Sequence, residues 1–191
     1  MKKSLLISAL VFSLVALLVV GGTMAWFTDS KELDNKFTAG TVKIKINEHE
    51  FTDIDNWNPG DTTNKKVSVK SEGSKKTYVR VALTPVWGEM VEEEFVPDDS
   101  LSVDNVILDV NTDETDDWML SGGWYYYKGI LEADAETSNL LESVTLIGGA
   151  TGNDYQGKTL RINVAAEAVQ ASNDAYKTTW SLDNLPWAPP V

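Results

Sequence analysis

The sequence predicts an all-β protein: one antiparallel β-sandwich or jelly roll with short helical insertions. Three observations carry that expectation. Apolar residues recur at every second position in several short segments, the period of a half-buried strand. Gly, Pro, Asn and Asp cluster between those segments, where tight turns need them. After residue 25, no segment sustains an apolar stripe at the 3.6-residue period of a helix.

The first strand is read from Val42, Ile44 and Ile46 alternating with Lys43, Lys45 and Asn47. Asn58-Pro59-Gly60-Asp61 then turns the chain into a shorter alternation through Val67 and Val69. After the turn Ser71-Glu72-Gly73-Ser74 comes Tyr78-Val79-Arg80-Val81-Ala82-Leu83. Pro85 is expected to end that strand, because proline gives a ladder no donor. Val106-Ile107-Leu108, the block Trp124-Tyr125-Tyr126-Tyr127 and the segment from Leu140 to Ile147 are rich in β-forming residues. Leu160, Ile162, Val164, Ala166 and Ala168 make the longest alternation. Helical turns are expected only at Gly88 to Phe95 and at Ala133 to Leu141. About seven strands of this kind suggest two packed sheets.

At 191 residues the chain has room for one such domain behind a short leader. The leader is visible. Lys2 and Lys3 precede an apolar run from Leu5 to Val20, and small residues follow through Ala25. These are the three parts of a secretory signal. The run falls short of the roughly 20 residues that span a bilayer. Cutting between Ala25 and Trp26 is therefore expected, with residues 1–25 as signal and membrane contact only before cleavage. Residues 26–40 form a leading segment and 41–191 the domain.

Charge and composition exclude several functions. The chain holds 29 Asp and Glu against 16 Lys and Arg, a net charge of -13. Removing Lys2 and Lys3 with the signal leaves 14 cations (16 minus 2) against 29 acids, a net -15. So acidic a chain is a poor candidate for binding nucleic acid through its phosphates. There is no Cys, so no disulfide, thiol nucleophile or Cys-ligated metal is expected. His49, the one histidine, cannot form the paired-histidine site of a zinc protease, and its polar setting from Asn47 to Glu50 reads as a surface turn. No serine nucleophile elbow and no phosphate loop occur. Asp109, Asn111 and Asp113 alternate as the first ligands of a calcium loop do, yet Glu114 and Leu120 stand where that loop needs Gly and a bidentate acid. They are weak calcium candidates beside a solvated acidic loop. The seven Trp, six Tyr and five Phe serve either as core or as a sugar-stacking platform, with Trp124 to Tyr127 the candidate strand. No catalytic residue and no cofactor are read from the chain.

The most specific pattern follows the leader. It runs Ala25-Trp26-Phe27-Thr28-Asp29, then Asn35-Lys36-Phe37-Thr38-Ala39-Gly40-Thr41-Val42. Together with Trp57-Asn58-Pro59-Gly60-Asp61 and Tyr78-Val79-Arg80-Val81, it resembles the TasA/camelysin family of Gram-positive bacteria. Trp124 to Leu131 and Ser138-Asn139-Leu140-Leu141 are similar to the clostridial, BsaA-like biofilm-matrix members. The resemblance implies a signal peptidase of the SipW type as partner in export. It also implies a secreted subunit of an extracellular matrix or cell-surface fibre, a homopolymer built head to tail by donor-strand exchange. The donor would be the mature N-terminus, with Trp26, Phe27, Leu33 and Phe37 as its large side chains. Lys31 and Lys36 would be candidate amines for isopeptide links between subunits. The metalloprotease activity ascribed to camelysin is not expected, since no second His exists. A monomeric secreted calcium- or carbohydrate-binding adhesin is the alternative.

Overall fold

The computed structural model describes residues 40–49 and 58–187. The chain separates into two compact units, Met1–Ala39 and Gly40–Val191, and the fold below is that of the second. Its strands are β1 (Ile44–His49), β2 (Thr62–Ser71), β3 (Thr77–Val91), β4 (Glu94–Pro97), β5 (Val106–Val110), β6 (Trp118–Ser121), β7 (Trp124–Tyr127), β8 (Leu141–Leu146) and β9 (Thr159–Gln170). One short helix, α1 (Ala175–Thr179), follows β9. A four-stranded sheet has the order β1-β2-β8-β5. The five-stranded sheet has the order β4-β3-β7-β6, with β9 also paired to β3. All pairs are antiparallel. The expected all-β sandwich is the fold observed.

Alternation places the core. Val69 of β2 packs with Val79 and Val81 of β3, Val67 of β2 packs with Leu141 and Val144 of β8, and none of Val67, Val69, Val79 and Val81 exposes any surface. Trp118, Leu140, Leu141 and Val144 close the interior between the sheets. The Trp118 indole N–H donates to the Ser138 carbonyl at 3.1 Å, so this ring is buried without stranding its polar atom. Ser71 Oγ and Thr77 Oγ1 are buried with no hydrogen-bond partner among the described residues.

The outer face of the five-stranded sheet is also covered. The segment from α1 onward lays Tyr176, Trp180, Leu182, Leu185 and Trp187 over Tyr78, Trp124, Tyr126 and Val169. The Arg80 guanidinium lies 4.2 Å from the Trp124 ring and 4.8 Å from the Trp180 ring. It donates to Glu167 Oε2 through Nε at 2.9 Å and Nη2 at 2.7 Å. A cation held between two rings and fixed by a carboxylate gains from ring attraction and from charge-assisted hydrogen bonds at once.

Four sequence expectations are corrected. Pro85 does not end β3, which runs on to Val91. On one edge β3 is paired with β9 from Thr77 to Gly88, while its other edge meets β7 only at Arg80 and Val81 and β4 only from Gly88. Pro85 falls in the gap between those partners, where a missing N–H breaks no ladder bond on that edge. Gly88 to Phe95 forms no helical turn; it is a hairpin in which Met90 faces Phe95 and Val91 faces Glu94. Ala133 to Leu141 is not helical either. Its backbone bonds to β2 instead, through Ala135 O, Thr137 N and Leu140 N. The stretch Asn47 to His49 is strand and not turn, with His49 opposite Lys66 in the β1–β2 register.

Two substitutions test this core by equilibrium urea unfolding. Trp118→Ala should lose about 3–5 kcal/mol, the cost of a large buried cavity. Thr77→Val should leave stability unchanged or raise it, because it removes a buried hydroxyl that bonds to nothing.

Candidate functional site

β1 and β9 are the two edges that meet on one side of the sandwich. Among the described residues β1 pairs only with β2, and β9 only with β3. Each therefore carries a row of main-chain N–H and C=O groups facing no strand, the arrangement that invites another chain to pair. Side chains tell the same story. Ile44 and Ile46 of β1, and Leu160, Ile162, Val164, Ala166 and Ala168 of β9, pack on the core yet are only half-buried. On the interior strands the equivalent positions, Val69 and Val81, are fully covered. The sandwich is apolar inside and open along this seam.

Toward the β3–β4 end the seam widens into a groove of about 1190 Å³. Thr63, Lys65 and Val144 line it from the first sheet, and Trp87, Leu160 and Ile162 from the second. Lys65 points inward, is almost fully buried, and donates to Glu48 Oε2 at 2.8 Å. Such a pair persists in an apolar wall because the carboxylate offsets the cost of burying the ammonium.

The chain enters at the opposite end. Thr41 O accepts from Ser74 N at 3.0 Å and from Lys75 N at 3.2 Å, and Thr41 N donates to Ser74 Oγ at 3.1 Å. Gly73 is needed here: a Cβ at this position would stand 2.4 Å from the Thr41 carbonyl oxygen. Residue 40 is thus fixed beside the turn between β2 and β3.

The groove's far wall is the β3–β4 hairpin, and its base is well anchored. Asp98 accepts from Ser100 Oγ at 2.5 Å and from Lys158 Nζ at 2.9 Å. The Ser100 hydroxyl, then Lys158, hold its carboxyl down from 3.8 to about 2, and Asp98 in turn pushes Lys158 up. Arg161 stacks 4.1 Å from the Phe95 ring.

The other residues singled out by sequence lie elsewhere. Asp109 is exposed on β5 and accepts from Ser143 Oγ at 3.2 Å. Asn111 turns its amide nitrogen toward Asn139 O at 2.9 Å and Glu142 Oε1 at 3.0 Å, presenting a donor where a cation would need an oxygen. Asp113 N bonds to Asp116 Oδ2 at 2.8 Å. Those three candidates are not brought together; Asn111, Asn139 and Glu142 are. In the aromatic strand β7, Tyr125 and Tyr127 face the core, while Trp124 and Tyr126 lie under the segment that follows β9. Both faces of that strand are occupied by the chain's own side chains. Ala25, Trp26, Phe27, Lys31, Leu33, Lys36 and Phe37 lie outside the described residues. Sequence reasoning missed the groove residues Lys65, Glu48 and Trp87, whose types carry no signal of their own.

The profile of the camelysin metallo-endopeptidase family matches residues 1–119. No curated protein matches the chain. Among solved structures the chain is similar to the ASH/PapD-like domain of human CEP192 (PapD-like domain 7). That match has 12% identity over 74% of this chain and 96% of that one, with a TM-score of 0.32, too loose to bear on function. Among the described residues the metal in the family's description finds no fitting donor set. The sequence has one His and no Cys, and among the described residues no three His, Asp or Glu side chains converge.

The hairpin anchor has a pH signature. A carboxyl whose folded pKa is lowered stabilises the fold above its unfolded value and loses that contribution as pH falls through the folded one. For Asp98 the window lies between 3.8 and about 2. Stability measured by urea across that range should fall less steeply in Asp98→Asn than in the parent.

Proposed function

The chain belongs to the camelysin family, and from that premise we propose that it is a non-catalytic structural subunit of an extracellular fibre. It is exported behind residues 1–25, cut between Ala25 and Trp26 by a signal peptidase of the SipW type, and polymerises head to tail by donor-strand exchange. The released segment of one copy completes the open seam of the next. Its setting is the extracellular matrix or surface of a Gram-positive biofilm.

The observation that carries this reading is the seam itself. Two neighbouring edges, each paired on one side only among the described residues, run beside half-buried apolar side chains. The groove opens at one end of the sandwich and the chain enters at the other. A contact that joins opposite ends of identical subunits repeats into a filament instead of closing.

The leading segment has the form such a groove requires. Residues 26–37 are twelve in number, and β9 is 12 residues long. In extended backbone Phe27, Leu33 and Phe37 fall on one face, because their numbers share parity, and Trp26 falls on the other. Main-chain pairing would supply affinity, and each large apolar side chain fully buried would add about 1.5–3 kcal/mol. In the immature chain the signal keeps this N-terminus tied until export.

Negative-stain microscopy of the mature protein, beside a variant lacking residues 26–37, tests the proposal. Filaments are expected from the first and monomers from the second. A synthetic peptide of residues 26–39 should cap growing ends and shorten the filaments. Monodisperse monomers from the mature protein at every salt and pH, or filaments from the truncated variant, would overturn it.

A further inference from the structure

The β3–β4 hairpin extends beyond the sheet that supports it. β9 begins opposite Gly88, so Glu89 to Val96 project past its end. The base is tied down by Lys158, which reaches Asp98 at 2.9 Å and Glu89 at 3.4 Å, and by Arg161 on Phe95. A Cβ on Gly88 would stand 2.3 Å from the Val96 carbonyl oxygen, which shows how closely the two strands approach there. The tip, by contrast, is bare. Met90 is 51% exposed, Val91 47% and Val96 44%. Glu92, Glu93 and Glu94 form no ion pair among the described residues. A held base and a free apolar tip make a rigid arm that needs no ordering before it binds.

The opposite end of the same strand carries a complementary surface. Beside the turn between β2 and β3 lies a shallow pocket of about 360 Å³ lined by Lys75, Lys76, Ile130 and Ser172. Ile130 is 46% exposed, an apolar floor with a basic rim. Lys76 pairs with Glu132, whereas Lys75 makes no ion pair among the described residues.

We propose that the hairpin tip of one copy docks on this pocket of a second copy. Val91 would seat against Ile130, with Glu92 and Glu93 on Lys75. One molecule cannot satisfy itself: β3 is 15 residues long, which at about 3.3 Å per residue separates Thr77 from Val91 by about 46 Å. The contact rests on the head-to-tail reading and adds to it a second, electrostatic joint that sets subunit rotation while the donor strand supplies affinity.

The sequence contains no cysteine, so an introduced pair reports without background. The mature protein carrying Glu93→Cys and Ser172→Cys is oxidised under assembly conditions and run on a non-reducing gel. A ladder of covalent oligomers is expected, several-fold weaker at 1 M salt and lost on adding Lys75→Glu. A control pairs Asn163→Cys, on β9, with Ser172→Cys and should give none. Filaments by microscopy without the ladder, or an equal ladder from the control, overturn this contact and leave donor exchange standing. A ladder without filaments keeps the contact and overturns donor exchange. Monomers with neither overturn both.

Discussion

The structure depends on the ladder between β3 and β9. Its twelve consecutive residue pairs, from Thr77 with Gln170 to Gly88 with Thr159, run the length of the sandwich. They fix which face of β3 lies on the core and which lies under α1. Because β9 occupies one edge of β3, the other edge must be shared by β7 and β4, and β4 is pushed out to form the projecting hairpin. Because β9 itself has a partner on one side only, it becomes a boundary. The ladder therefore creates both the strongest part of the molecule and its exposed seam.

Charge is arranged around that frame economically. Three buried or half-buried cations meet acids: Lys65 with Glu48, Arg80 with Glu167, and Lys158 with Asp98 and Glu89. The acid excess is left on exposed loops and at the hairpin tip, where water screens it. An overall acidity of this size keeps identical subunits from associating along arbitrary faces. In the proposed fibre, contacts between copies would thereby be confined to places where charge is locally cancelled or where apolar surface and main chain outweigh it.

Much of this was legible in the sequence. The alternation of β1 and of Leu160 to Ala168 reads as half-buried strand because each faces the core on one side only, and that is also why both are edges. The continuous run from Tyr78 to Leu83 was harder to interpret, since both faces of β3 are covered. The hairpin was illegible for a local reason. Its two turn residues are Glu92 and Glu93, both with positive φ, where asparagine or glycine would have announced a tight turn. The cover formed by Tyr176, Trp180 and Trp187 was missed because a helix of five residues has no period to detect. The groove was invisible for a different reason: it lies between two sheet edges, β1 and β9, that are brought together only by the tertiary fold.

The direction of the strands has a mechanical consequence. In the proposed fibre, tension enters each subunit at residue 40, beside one end of the sandwich, and leaves through the groove at the other. The load therefore runs parallel to β1, β3 and β9. Hydrogen bonds between antiparallel strands lie across that direction, so pulling loads the whole β3–β9 ladder in shear. Its bonds share the force and fail together, whereas a pull across the sheet would open them one at a time like a zip. A chain without a single covalent cross-link of its own side chains through cysteine would thus draw its tensile strength from strand orientation.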